Sequence, residues 1–136
     1  MKIKVVTGAL GLLIICCPLF AHHGTGASYD AAKEITLTGV VTQFNWHNPH
    51  AQIYFDVKDE GGTIVPWMIE GGSPNQLIKQ GVTKNTLAIG TEIIVEGYQA
   101  KDGTNKGVGR NLVLADGRRL FIGGEANSPD KKPGGK

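Results

Sequence analysis

Short runs of apolar and β-branched residues alternate with polar ones along most of this chain, and glycine-containing turns separate the runs. A period of two puts successive side chains on opposite faces of a strand, so the pattern calls for a sheet. Ile35, Leu37, Gly39 and Val41 share one face, and Thr36, Thr38, Val40 and Thr42 the other. This first strand can bend at Gly39 and run on to Phe44 and Trp46 before Pro49 ends it. Gln52–Val57 forms the second strand, and Asp59-Glu60-Gly61-Gly62 a hairpin turn. Thr63–Glu70 is the third, with Ile64, Trp67 and Ile69 directed to the core and Pro66 marking an edge or a bulge. Thr91–Tyr98, Val108–Leu114 and a short final strand Arg119–Ile122 complete the set.

One segment departs from this pattern. Ser73 can cap a helix, Pro74 suits its first turn, and Gly81 suits its end. The expected helix is Pro74–Gln80, burying Leu77 and Ile78. Three strands, one helix and two further strands is the order of a small five-stranded OB-fold-like Greek-key barrel with one short helix between strands 3 and 4. The chain is therefore read as all-β, another small barrel or sandwich being the alternative.

The ends of the chain differ from its middle. Lys2 and Lys4 precede a largely apolar run to Phe20, and Ala21 supplies a small residue for cleavage. Residues 1–21 thus read as a signal peptide cut after Ala21, giving a periplasmic or secreted protein. Val5–Ala21 falls short of the roughly 20 apolar residues that span a bilayer. No membrane span is expected after cleavage. Residues 22–34 read as an N-terminal arm, 35–123 as the barrel domain and 124–136 as a disordered tail.

Composition then excludes several classes. Cys16 and Cys17 are the chain's 2 cysteines, and both precede Ala21. The mature chain would have neither a disulfide nor a thiolate metal site. Loss of Lys2 and Lys4 takes the basic residues from 14 to 12, against 12 acidic ones. A neutral exported chain lacks the cationic excess of a nucleic-acid binder. No phosphate-binding loop, nucleophile elbow or zinc-hydrolase motif is present.

What remains is histidine. The chain has 4, in two places: His22-His23 and the segment Trp46-His47-Asn48-Pro49-His50. Cleavage after Ala21 would give His22 a free α-amine beside its imidazole, two nitrogen donors on one residue. With one or two further imidazoles this makes a candidate metal site of His22, His23, His47 and His50. Tyr29, Asp30 or Glu70 could complete it. Copper suits a nitrogen-rich donor set, with zinc as second choice. Against this stand plainer readings. The first pair can be what cleavage leaves in a tail, Asn48-Pro49 is ordinary turn chemistry, and His50 can bond a backbone carbonyl. Glu70 reads as a solvated strand end. Trp46, Trp67, Phe44 and Tyr54 could form an aromatic patch, although Trp67 reads as core.

The chain resembles a family of short exported bacterial proteins of uncharacterised function. The residues that carry the resemblance are His22-His23, Tyr29-Asp30, Leu37-Thr38-Gly39, Trp46-His47-Asn48-Pro49-His50 and Gly72-Ser73-Pro74-Asn75, followed by Ala100-Lys101-Asp102-Gly103 and Asp116-Gly117-Arg118-Arg119-Leu120-Phe121. The match covers about residues 21–123. In the family a mature His-His start accompanies a Trp-x-Asn-Pro-His motif whose middle position need not be histidine. His22, His23 and His50 match that pattern, and His47 falls on its variable position.

The sequence supports a binding module over an enzyme. The first reading is a metal-binding module, with a metal ion or small ligand and another periplasmic protein as partners. The second is a metal-free domain that binds a partner or ligand through Trp46, Asn48 and His50. A copper-dependent oxidase-like enzyme built on an N-terminal histidine ranks last, because such sites sit on larger sandwiches.

Overall fold

A computed structural model describes residues 28–124. The expected signal peptide, the His22-His23 pair and residues 125–136 of the expected tail lie outside the described residues. The described chain is mostly β-sheet, with strands β1 (Tyr29–Asn45), β2 (Gln52–Lys58), β3 (Ile64–Glu70), β4 (Glu92–Ala100), β5 (Lys106–Leu114) and β6 (Arg119–Phe121). A single helix, α1 (Pro74–Lys79), lies between β3 and β4 in the chain. The sixth strand is the short final one expected after Asp116-Gly117.

The strands lie in the order β3-β2-β1-β4-β5-β6, each antiparallel to its neighbours. The end of β3 also pairs in parallel with the start of β5, Met68–Glu70 against Lys106–Val108. Pro66 pairs only on the β2 side, opposite Asp56, and so sits on an edge, where its missing N–H leaves no ladder bond unmade.

β1 begins at Tyr29, six residues before the alternating pattern starts. Tyr29 pairs with Ala100 and Glu34 with Tyr98, and the register slips between them. Part of the expected arm is therefore strand. Asp30-Ala31-Ala32-Lys33 has low intrinsic strand preference and lies unpaired in that slip, before Tyr29 returns to β4 opposite Ala100.

The core forms where the expected faces meet. Phe55, Ile69, Leu77, Ile93, Leu112 and Ile122 are fully buried. Two expected core residues are not. Ile64 is 52% exposed and Ile78 56%. Period two explains the first, since Ile64 cannot share a face with Trp67 and Ile69; Val65 does. For the second, α1 directs Pro74 and Leu77 inward. One further step of about 100° turns Ile78 out.

Cap chemistry fixes α1 as expected. The Ser73 hydroxyl accepts from the Gln76 N–H at 3.3 Å, and the Gln76 side-chain oxygen accepts from the Ser73 N–H at 3.0 Å, a reciprocal capping box. Gly81 then takes φ of 82°, the left-handed value that ends a helix at least cost on glycine.

Gly39 has a different role. It pairs with Val57 on one side and with Ile93 on the other. A Cβ there would lie 2.7 Å from the Phe55 ring and collide with the Asp56 carbonyl oxygen. Gly39→Ala is expected to lower unfolding free energy by about 1–3 kcal/mol through overpacking. Val40→Ala, one residue along on the exposed face, is expected to cost less than about 0.5 kcal/mol. Urea unfolding of both variants checks the pair; equal losses would refute the account.

Candidate functional site

The loop from Trp46 to Ala51 joins β1 to β2 and carries both described histidines. Trp46 anchors it, half-buried against the core and edge-to-face on Phe44 with ring centres 5.6 Å apart. Trp67 packs against the core, as expected. Asn48 and Pro49, joined by a cis peptide bond, lie exposed at the tip. At the other end Ala51 is buried, and its backbone is bonded twice to the glycines after β3. Its N–H donates to the Gly72 carbonyl at 3.0 Å, and its carbonyl accepts from the Gly71 N–H at 2.8 Å. Gly72 in turn donates to the Ile122 carbonyl at 2.8 Å. The loop end is thereby tied to the segment after β3 and to the end of β6.

This tie brings His50 to Glu70. The His50 Nδ1 lies 3.2 Å from the Gly71 carbonyl oxygen. A carbonyl only accepts, so Nδ1 carries the proton in this contact. Nε2 then faces Glu70 Oε1 at 3.6 Å. In the neutral ring Nε2 holds a lone pair beside a carboxylate; in the charged ring the two form an ion pair. The other carboxylate oxygen, Oε2, accepts from the Tyr29 hydroxyl at 2.6 Å. A phenol, a carboxylate and an imidazole thus lie in one run, contributed by the start of β1, the end of β3 and the loop between β1 and β2.

Glu70 is consequently not the solvated strand end that the sequence suggests. Its side chain is 21% exposed, with Oε2 hydrogen-bonded to Tyr29 and Oε1 3.6 Å from His50 Nε2. Tyr29 shows the consequence. Burial first, then the hydrogen bond to Glu70 and the negative charges of Glu70 and Asp102, push its phenol well above the usual tyrosine value.

The remaining candidates lie apart from this run. His47 is exposed, with its Nδ1 3.2 Å from the carbonyl oxygen of Asn48 in its own loop. The plain reading of His50, a ring bonded to a backbone carbonyl, is realised, and the Glu70 contact comes in addition. Asp30 is half-buried and its carboxylate accepts from the Ala32 N–H at 3.0 Å. Among the described residues, no three His, Cys, Asp or Glu side chains gather in a group able to hold a metal. His22 and His23 lie outside that set. No described helix is long and apolar enough to cross a membrane.

The described residues also form a concavity away from this run. It is a shallow polar groove of about 280 Å³ across β1, β4, β5 and β6, lined by Glu34, Tyr98, Arg110, Asn111 and Arg119 among others. Here Glu96 accepts from Asn111 at 3.0 Å and pairs with Arg119. Arg110 is the extra residue of a bulge, between Asn111 opposite Glu96 and Gly109 opposite Gly97. The side chains that line the groove come from four strands far apart in sequence, so no local sequence signal points to it.

A model for a family of unknown function, DUF6152, matches residues 11–110. The chain belongs to the DUF6152 family. The DUF6152 match takes in all four histidines, Tyr29 and Glu70, and runs from before β1 into β5. Neither a curated protein nor a solved structure matches the chain.

The raised phenol has a measurable consequence. A group whose folded value lies above its unfolded value of 10.0 stabilises fully below that value, and loses this contribution as pH climbs towards the folded one. Tyr29→Phe is therefore expected to cost about 1–2 kcal/mol at pH 7, the low end for a hydrogen bond to a charged acceptor that is only half-buried. The gap between wild type and variant should hold to pH about 10 and shrink above it. Denaturation midpoints of both proteins from pH 7 to 11 check this, and a gap that widens with pH would contradict it.

Proposed function

We propose that this protein is an exported, non-enzymatic module that binds a metal ion, copper first and zinc second, through His50 together with His22 and His23 of the mature N-terminus. The observation that carries this reading is the aim of His50. Its Nδ1 is committed to the Gly71 carbonyl, which in the neutral ring leaves Nε2 free to bind beside Glu70. Metal-binding histidines commonly hold their second nitrogen in this way. The route of the chain supports the contribution of the arm. Tyr29 is hydrogen-bonded to Glu70, so β1 starts at the same corner of the molecule. Six chain steps separate it from His23, a reach of up to roughly 20 Å. His47, exposed and turned to its own loop, is the least committed of the four.

The scaffold in this proposal is an OB-fold-like barrel. Its support is the helix between β3 and β4 and the parallel pairing that brings β3 round to β5. Export places the module in the periplasm or outside the cell, where handing metal to another protein is a fitting role. A metal-free recognition surface is the second reading. The exposed Asn48, mounted on the packed Trp46, favours it.

Protein carried out of the cell by its own leader, with mass spectrometry showing His22 as its first residue, is expected to hold about one copper or zinc ion per chain. His50→Ala should weaken that binding by about tenfold or more, and so should one extra residue before His22, which moves the amine away. Elemental analysis and competition with a chelator measure both. No bound metal after exposure to copper and dialysis would overturn the reading in favour of the Trp46–His50 surface.

A further inference from the structure

We infer that the polar groove across β1, β4, β5 and β6 binds a dipeptide as a zwitterion, with the peptide carboxylate on Arg110 and the peptide ammonium on Glu34. This site is separate from the histidine loop, and the inference does not depend on the metal-binding reading.

The bulge in β5 shapes the groove. Successive residues of a regular strand point to opposite faces. Glu96 pairs with Asn111 and Gly97 with Gly109, which leaves Arg110 as the extra residue. The insertion lets Arg110 and Asn111, although consecutive, line the same concavity. The Arg110 backbone stays fixed, because its carbonyl accepts from the Ile122 N–H at 2.9 Å. Gly97 permits the close approach of the two strands, since a Cβ there would collide with the Val108 carbonyl oxygen.

Four charged side chains line the groove, Glu34, Glu96, Arg110 and Arg119. Two of them are already engaged. Glu96 accepts from the Asn111 amide at 3.0 Å and pairs with Arg119, so their charges cancel. Arg110 and Glu34 remain. Both are exposed, and neither side chain has a hydrogen bond or ion pair among the described residues. They stand on β5 and β1, either side of β4, and two strand spacings put their backbones about 10 Å apart.

That layout selects the class of ligand. Two positive and two negative groups leave the groove without net charge, which disfavours phosphate and other multiply charged anions. A free guanidinium on one wall and a free carboxylate on the other suit a dipolar ligand, each end held by a charge-assisted hydrogen bond. An α-amino acid carries both charges on one carbon and spans β4 poorly. In a dipeptide an amide separates the charges. The Tyr98 and Thr36 hydroxyls also line the groove and can bond that amide. The volume of about 280 Å³ lies just under the roughly 300 Å³ at which drug-sized sites begin, in keeping with a ligand this small.

The test is a titration of the exported, isotope-labelled protein with glycylglycine, followed through its backbone amide resonances. Prior dialysis against a chelator removes any metal through which a peptide could bind. Saturable shifts are expected around residues 34–36, 96–98 and 109–111, with the Trp46–His50 loop unmoved. Arg110→Ala and Glu34→Gln should each weaken binding by about three- to fivefold, the scale of one exposed ion pair. Blocked ligands check the orientation without altering the protein. N-acetylglycylglycine lacks the ammonium, and should bind more weakly and respond to Arg110→Ala alone. Glycylglycinamide lacks the carboxylate, and should respond to Glu34→Gln alone. δ-Aminovalerate keeps the charge separation without the amide and should bind more weakly than glycylglycine; equal affinity would overturn the assignment of a peptide. No saturable shift, or shifts that neither substitution weakens, would overturn the site itself. His50→Ala is expected to leave this binding unchanged, so the result stands apart from that of the metal reading.

Discussion

Strand β1 is hydrogen-bonded along both sides, and its two pairings overlap at Gly39 and Val40. Its first half runs beside β4 and its second half beside β2, so the two parts of the sheet are joined through one continuous 17-residue strand. The absence of a side chain at Gly39 lets Phe55 and the Asp56 backbone close onto β1 at the overlap. Phe55, Ile93 and Val95 can then meet in one core, instead of covering two half-sheets separately. The positions of Tyr29 at one end of β1 and of the histidine loop at the other both follow from this strand.

The candidate site depends on that arrangement in a specific way. Tyr29 begins β1, while His50 lies in the loop beyond its far end. The two are brought together because β3 ends between them. Glu70 accepts from the one and faces the other. A carboxylate hydrogen-bonded through one oxygen, at the meeting point of three chain segments, is better fixed in direction than one at a free strand end. Imidazole and carboxylate are therefore presented together without any contribution from His47.

What could be read from the sequence was local. The turn at Gly61-Gly62, the alternation of β1 and β4 and the Ser73 cap each depend on residues within a few positions, and each is found as expected. The errors have equally definite causes. Apolar character alone points Ile64 and Ile78 inward, whereas strand parity and helix rotation turn them out. The start of β1 carries no period-two signal, because Tyr29 rejoins β4 opposite Ala100 only after the four unpaired residues Asp30–Lys33. Glu70 looked solvated because its partner Tyr29 lies 41 residues away. No local pattern encodes a contact of that separation. The candidate ligands could be named from their residue types, but the contact between Tyr29 and Glu70 could not.

The dependence of β1 on β4 also bears on when the molecule can form. A chain made or threaded from its N-terminus delivers β1 first and its β4 partner, which ends at Ala100, last but for β5 and β6. Until then the first half of β1 has no strand beside it, and Ile35 and Leu37 lack the β4 and β5 residues of the core they pack against. Pairings so distant in sequence are slow to close, and a lone apolar strand invites association with others. Most of the domain must therefore emerge before any of it is stable, so an emerging chain needs either speed or a chaperone to shield it.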